Sequence, residues 1–244
     1  MTEKKGKFEL PLRPSRTNYI GAVLSVVGFL LTLLCLVGSR HPSGKGLHFV
    51  KLTDNPPGSL ALYVSWQGYC VDDQGRTECK TDDGVMQAPF DVVIATMFNE
   101  TYPQLFTDEV ELDQDLYPLA APNPVHNPKV FAASVLCLLC SGAALVIGLL
   151  VIVMGYRFPD THYSRGFFAW AAAVLALLLI AQSCVLYQNG AQMLNLTYPH
   201  LIASLGPGLP MIGVAFACFV LAGFAYLHGC FNKDEAIEGG YSAL

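Results

Sequence analysis

YIGAVLSVVGFLLTLLCLVGS, residues 19 to 39, runs for 21 residues without an Asp, Glu, Lys or Arg. That length matches the ~20 apolar residues a helix needs to cross the hydrocarbon core of a bilayer. Three further stretches share its character, residues 130 to 156, 166 to 187 and 209 to 230, and none of them is charged. Composition agrees: 53% of the 244 residues are hydrophobic and only 14% are charged, outside the balance of a soluble domain. The chain therefore reads as an all-α membrane protein, a bundle of four transmembrane helices.

Basic residues orient the spans. Five Lys and Arg lie in residues 1 to 18, and Arg157 and Arg165 lie in the 157 to 165 connection. An excess of Lys and Arg marks the cytosolic side. Residues 1 to 18, 157 to 165 and 231 to 244 are thus expected in the cytosol, and residues 40 to 129 and 188 to 208 outside. The first apolar run is too long for the core of a cleaved signal peptide and lacks a small-residue cleavage pattern, so it reads as a retained anchor. Sequons at Asn99-Glu100-Thr101 and Asn195-Leu196-Thr197 fall one in each outer loop, as acceptors for N-glycosylation would.

The eight cysteines sort by compartment. Cys35, Cys137, Cys140, Cys184, Cys218 and Cys230 lie in or beside the spans and read as small packing side chains. Cys137 and Cys140 have the spacing of a redox pair, but a thiolate is poorly solvated inside an apolar helix. Cys70 and Cys79 stand in the outer loop, in an oxidising space, and a disulfide between them is favoured over two free thiols.

Around that pair the loop has the pattern of a small sheet. GLHFVKL (46 to 52) and SLALYVSWQGYCV (59 to 71) are rich in aromatic and β-branched residues, with the turn signal NPPGS between them. A further strand over Arg76 to Thr81 returns Cys79 beside Cys70. Phe90, Val93, Ile94, Met97 and Phe98 recur at helical spacing and predict a short amphipathic helix. The loop carries thirteen Asp and Glu against six Lys and Arg. Such oxygens gather calcium weakly, but no EF-hand loop is present and a solvated acidic surface is the simpler reading. Trp66, Gly68 and Tyr69 are expected at the boundary between sheet and bundle, with Gly68 allowing a bulge or close backbone approach.

No catalytic constellation emerges. The six histidines are scattered without ligand spacing, and no cofactor or metal site is expected. The spans contain only Gln182 with scattered Ser and Thr as polar residues, fewer than an ion pathway needs. Gln182 is expected to bond a neighbouring helix. Gly21, Ser25, Gly28 and Thr32, and later Gly213 with Ala217, place small residues at helical spacing, the condition for a tightly packed left-handed bundle. The terminal Ser242-Ala243-Leu244 matches a carboxylate ligand of strand-addition domains only formally.

Four spans, a large first outer loop with a small sheet, and the constellation Trp66, Gly68, Tyr69, Cys70 and Cys79 resemble the claudin-like superfamily. That family's loop motif is Trp, Gly-Leu-Trp, Cys, Cys; this chain has its Trp, Gly and both Cys, and lacks the full Gly-Leu-Trp. Within the superfamily the W-x-G-Y-C style of loop, the basic N-terminus and the length are most similar to the fungal calcium-regulator and membrane-fusion tetraspans induced in mating. The likeness extends from about Tyr19 to about Cys230. It implies a plasma-membrane protein that supports low-affinity calcium influx and cell fusion. The partners it implies are the lipid bilayer and other membrane proteins or a second copy, with calcium-channel components among them and nucleic acid not. Eisosome tetraspans and PalI-type pH-response sensors share the plan, so a structural organiser of membrane microdomains or a pH-response sensor of that type is the alternative.

Overall fold

The computed structural model describes residues 16–37, 46–54, 60–73, 75–81, 128–154 and 161–241. Helices α1 (Arg16–Val37), α2 (Pro128–Met154), α3 (Thr161–Ser183) and α5 (Gly208–Tyr241) form the bundle. Helix α3 passes through one π turn, Cys184–Gln188, into α4 (Asn189–Thr197). The segments Arg16–Val37, Val130–Val153, Tyr163–Thr197 and Gly208–His228 are each long and apolar enough to cross a membrane. This is a multi-pass membrane protein with four spans. Around the bundle α1 touches α2, α2 touches α3, α3 touches α5, and α5 returns to α1.

The packing follows from where the small residues recur. Helix α1 buries Asn18, Gly21, Ser25, Gly28, Thr32 and Cys35, α2 buries Val130, Ser134, Cys137, Ser141, Ala144, Gly148 and Val151, and α5 buries Ile212, Ala215, Phe219, Ala222 and Tyr226. These positions step by threes and fours, the rhythm of a left-handed coil seam. Seams in lipid gain little from the hydrophobic effect and depend on close contact, which small residues permit. Two seam hydroxyls are satisfied by their own helix: Thr32 Oγ1 donates to the Gly28 carbonyl at 2.9 Å and Ser141 Oγ to the Cys137 carbonyl at 2.7 Å. Bulky residues go outward, Ile20, Val23, Leu30 and Leu34 among them on α1.

Two rings on α5 lock into the glycines of α1. A Cβ on Gly21 would stand 2.7 Å from the Tyr226 ring, and one on Gly28 would stand 2.5 Å from the Phe219 ring. The glycines are seven residues apart on one helix and the aromatics seven apart on the other, running in opposite directions. Tyr226 also reaches Ser25, its hydroxyl 3.3 Å from Ser25 Oγ, and lies 5.2 Å beneath the guanidinium of Arg165. Arg165 donates to Asn18 Oδ1 at 3.3 Å and is fully buried. Sequence placed Arg165 in a loop; it belongs instead to α3, which begins at Thr161. A ring face and an amide oxygen replace water around its charge.

At the other end of the bundle sits one antiparallel sheet of five strands: β1 (Val50–Asp54), β2 (Leu60–Ser65), β3 (Gly68–Asp73), β4 (Arg76–Thr81) and β5 (Leu201–Leu205). Their spatial order is β4-β3-β2-β1-β5. The expected strand over residues 59 to 71 is two strands, because Ser65 pairs with Gly68 across a two-residue turn at Trp66 and Gln67. Gly68 accordingly lies in a regular ladder and forms no bulge. The β3–β4 turn carries Gly75 at φ 84°, a left-handed conformation that glycine adopts without strain. Strand β5 comes from the second connection, read from sequence as a plain loop, and pairs with β1 along Leu201 to Leu205.

Helix α3–α4 explains how β5 arrives there. Gly166 packs on Leu227 and Gly223 on Trp170, so α3 and α5 run antiparallel in a fixed register. Continued at that register, Gly208 stands level with roughly Val185, and α4 carries the chain on for about 18 Å beyond it. The sequence reading ended this span at Tyr187. The expected amphipathic helix, Asn99, the acidic run near Asp108 to Asp115 and Ser242-Ala243-Leu244 all lie outside the described residues.

Candidate functional site: the sheet and its seat on the bundle

Side chains directly opposite one another in a sheet share a face. Ser204, Lys51, Tyr63, Cys70 and Cys79 are opposite one another across all five strands. Ile202, Thr53, Ala61, Asp72 and Thr77 form the next row on the same face. The alternate residues Val50, Leu52, Leu62, Val64, Leu201 and Ala203 occupy the opposite face and join the core of the helices. The first two rows therefore turn away from the bundle.

Contacts tie that outward row in two groups. Cys70 and Cys79 are bonded as a disulfide with their Cα atoms 4.0 Å apart, joining β3 to the edge strand β4. Lys51 Nζ lies 5.5 Å from the centroid of the Tyr63 ring, and the His48 ring meets Tyr63 edge-on at 5.0 Å. Ser204 Oγ donates to the Lys51 carbonyl at 3.3 Å. Tyr69, one residue before Cys70, is on the other face and packs partly buried against the core.

Beneath the sheet three rings form a column. Trp66 stacks on Phe49 and Phe49 on Tyr187, each pair with centroids 5.0 Å apart and planes inclined by 16°. Trp66 comes from the β2–β3 turn, Phe49 precedes β1, and Tyr187 lies in the π turn, so three distant segments meet in one stack. Aromatic pairs of this kind are worth about 0.5 to 1.5 kcal/mol beyond their buried area. Trp66 is held for its ring: its Nε1 is buried with no hydrogen-bond partner among the described residues.

The π turn has a geometric reason. The buried stripe of α3 runs Arg165, Ala169, Ala172, Ala176, Leu179 and Ser183, and the same rhythm leads on to positions 186, 190 and 193. Tyr187 and Leu194 are buried in place of positions 186 and 193, and Ala191 is buried beside Gly190. One extra residue is absorbed by the wider turn, which brings Tyr187 round onto Phe49. Gln182 and Ser183, just before it, each bury a side-chain oxygen without a hydrogen-bond partner among the described residues. Gln182 Oε1 accepts no bond from a neighbouring helix among the described residues.

Backbone bonds complete the seat. Gly206 N–H donates to the Phe49 carbonyl at 2.8 Å and Gly208 N–H to the His48 carbonyl at 3.0 Å. A Cβ on Gly206 would collide with the His48 carbonyl and ring, so this crossing requires glycine. Helix α5 thus starts directly from the sheet, its first N–H capped by β1's approach.

Sequence reasoning had picked out Trp66, Gly68, Tyr69, Cys70, Cys79 and Asn195, but not Phe49, Tyr187, Lys51, Tyr63 or Gly206. Phe49 and Tyr63 are the aromatic members of two strand-like runs, and that was the available signal. Among the described residues no group of three or more His, Cys, Asp or Glu can hold a metal ion. No family model matches the chain, and none of the curated proteins compared with it does.

Proposed function

We propose that this chain is a claudin-like tetraspan of the plasma membrane that supports low-affinity calcium influx and membrane fusion when cells mate or fuse. It acts through the outward face of its sheet on another membrane protein, a calcium-channel component or a second copy. The observation that carries this reading is the outward row Ser204, Lys51, Tyr63, Cys70 and Cys79, presented on a sheet seated on the bundle by the Trp66–Phe49–Tyr187 column. A surface held in one orientation loses little conformational freedom when a partner docks.

The proposed sidedness rests on the basic residues. Arg16 and Arg165 stand at the end of the bundle opposite the sheet, which under the positive-inside rule supports cytosolic termini and an outer sheet. Asn99 is then the proposed glycan acceptor. A regulator rather than a conduit is favoured by the seam, where the rings of Phe219 and Tyr226 fill the space beside Gly28 and Gly21.

A second reading, an organiser of membrane microdomains of the eisosome or PalI type, draws on α5. A Cβ on Gly213 would meet nothing within 4 Å, so that flank has room for another helix. The two readings separate in cells from which the gene has been deleted and then restored. The first expects a loss of calcium uptake and of fusion, both recovered on restoration, with the protein gathered at cell contacts. Normal uptake and fusion with the protein in stable cortical patches would favour the second.

A further inference from the structure

Asn195 projects from α4 onto the outer edge of β5. Its Nδ2 donates to the Ala203 carbonyl at 2.9 Å, and the Ala203 N–H donates back to its Oδ1 at 2.6 Å. Ala203 lies opposite Leu52 in the ladder with β1, yet both of its main-chain polar groups turn toward α4. A carboxamide offers an oxygen and an N–H side by side, the same pair that a residue of a neighbouring strand would present. Edge strands left open are templates for unwanted pairing, and proteins cover them.

We propose that Asn195 is a surrogate-strand clasp that fixes β5 to α4, and that the sequon Asn195-Leu196-Thr197 is for that reason not a glycan acceptor in the folded protein. N-glycosylation forms a bond between the sugar's anomeric carbon and Nδ2. Nδ2 loses one proton, and a lipid diphosphate leaves with the electrons of its bond to the sugar. In the trans amide that results, the sugar lies on the same side as Oδ1. That is the position of the proton that bridges to Ala203, and the proton that remains points away from β5. Clasp and glycan compete for one N–H. The clasp does not depend on which side of the membrane the sheet occupies.

The test uses the full-length protein purified from eukaryotic membranes. The peptide containing Asn195 is examined by mass spectrometry after an N-glycosidase that converts glycosylated Asn to Asp. Amide exchange across Leu201 to Leu205 is compared in the wild type, Thr197→Ala and Asn195→Leu. The clasp predicts Asn195 recovered unconverted. It predicts wild-type exchange in Thr197→Ala, which removes the sequon but keeps the carboxamide, and exchange at Ala203 faster by about fivefold or more in Asn195→Leu, which takes away the acceptor of the Ala203 N–H. Sugar on a substantial fraction of wild-type Asn195 would overturn it, as would unchanged exchange in Asn195→Leu or accelerated exchange in Thr197→Ala.

Discussion

Phe49 and Tyr187 stack at 5.0 Å with their planes 16° apart, and through that contact the sheet rests on the π turn of the third span. Phe49 is fully buried with a ring on either side of it, Trp66 on the other. Phe49→Ala should therefore lower the stability of the detergent-solubilised protein by about 3 to 5 kcal/mol, the range for emptying a buried aromatic site. Thermal unfolding measures it. A cost below that of an exposed apolar residue such as Ile202→Ala would mean that the column is incidental.

The α1–α5 seam makes a size-exchange prediction. Gly28→Ala places a methyl group against the Phe219 ring and should destabilise by about 1 to 3 kcal/mol through overpacking. Adding Phe219→Leu should recover part of that loss, although Phe219→Leu alone is destabilising. Unfolding midpoints of the four proteins form the test, and strictly additive losses would contradict the contact.

The disulfide closes a loop of nine residues of separation between adjacent strands. Its removal should cost about 2 to 3 kcal/mol from the freedom returned to the unfolded chain. Cys70→Ser and Cys79→Ser should fall equally, the double substitution no further. Reductant should lower the unfolding midpoint of the wild type and leave that of the double mutant unchanged.

At the opposite end Tyr226 does two jobs that substitution can separate. Tyr226→Phe keeps the ring under Arg165 and against Gly21 but loses the hydroxyl contact to Ser25, a change of about 0.5 to 1.5 kcal/mol. Tyr226→Ala removes the ring and should cost about 3 to 5 kcal/mol. Equal losses in the two variants would show that the ring contributes nothing by itself.

The four spans were legible because uncharged runs of bilayer length are rare by chance, and the strands near the cysteines were legible from their composition. The split of residues 59 to 71 was also written in the sequence. Leu60, Leu62 and Val64 are inward at even positions, whereas Tyr69 and Val71 are inward at odd ones, and that change of parity marks the Trp66-Gln67 turn. Other features depend on contacts far away in the chain. Asn189-Gly190 has the look of a turn, yet Gly190 is buried within α4. LIASL becomes a strand because β1 offers it an edge, and Arg165 can be buried only because Asn18 and Tyr226 come from two other helices. No local pattern ties Tyr187 to Phe49, since that pairing depends on one extra residue in a helical turn.

The proposed role requires a sheet held in one orientation, by the ring column beneath it and the disulfide across it. Calcium uptake and cell fusion per molecule at the surface, measured in cells carrying Trp66→Ala or Cys70→Ser at matched surface amounts, test this most directly. Both substitutions should abolish uptake and fusion, while neutralising Asp72, on the same outward face, should weaken them only partly. Normal uptake and normal fusion in both variants, at wild-type surface amounts, would contradict it.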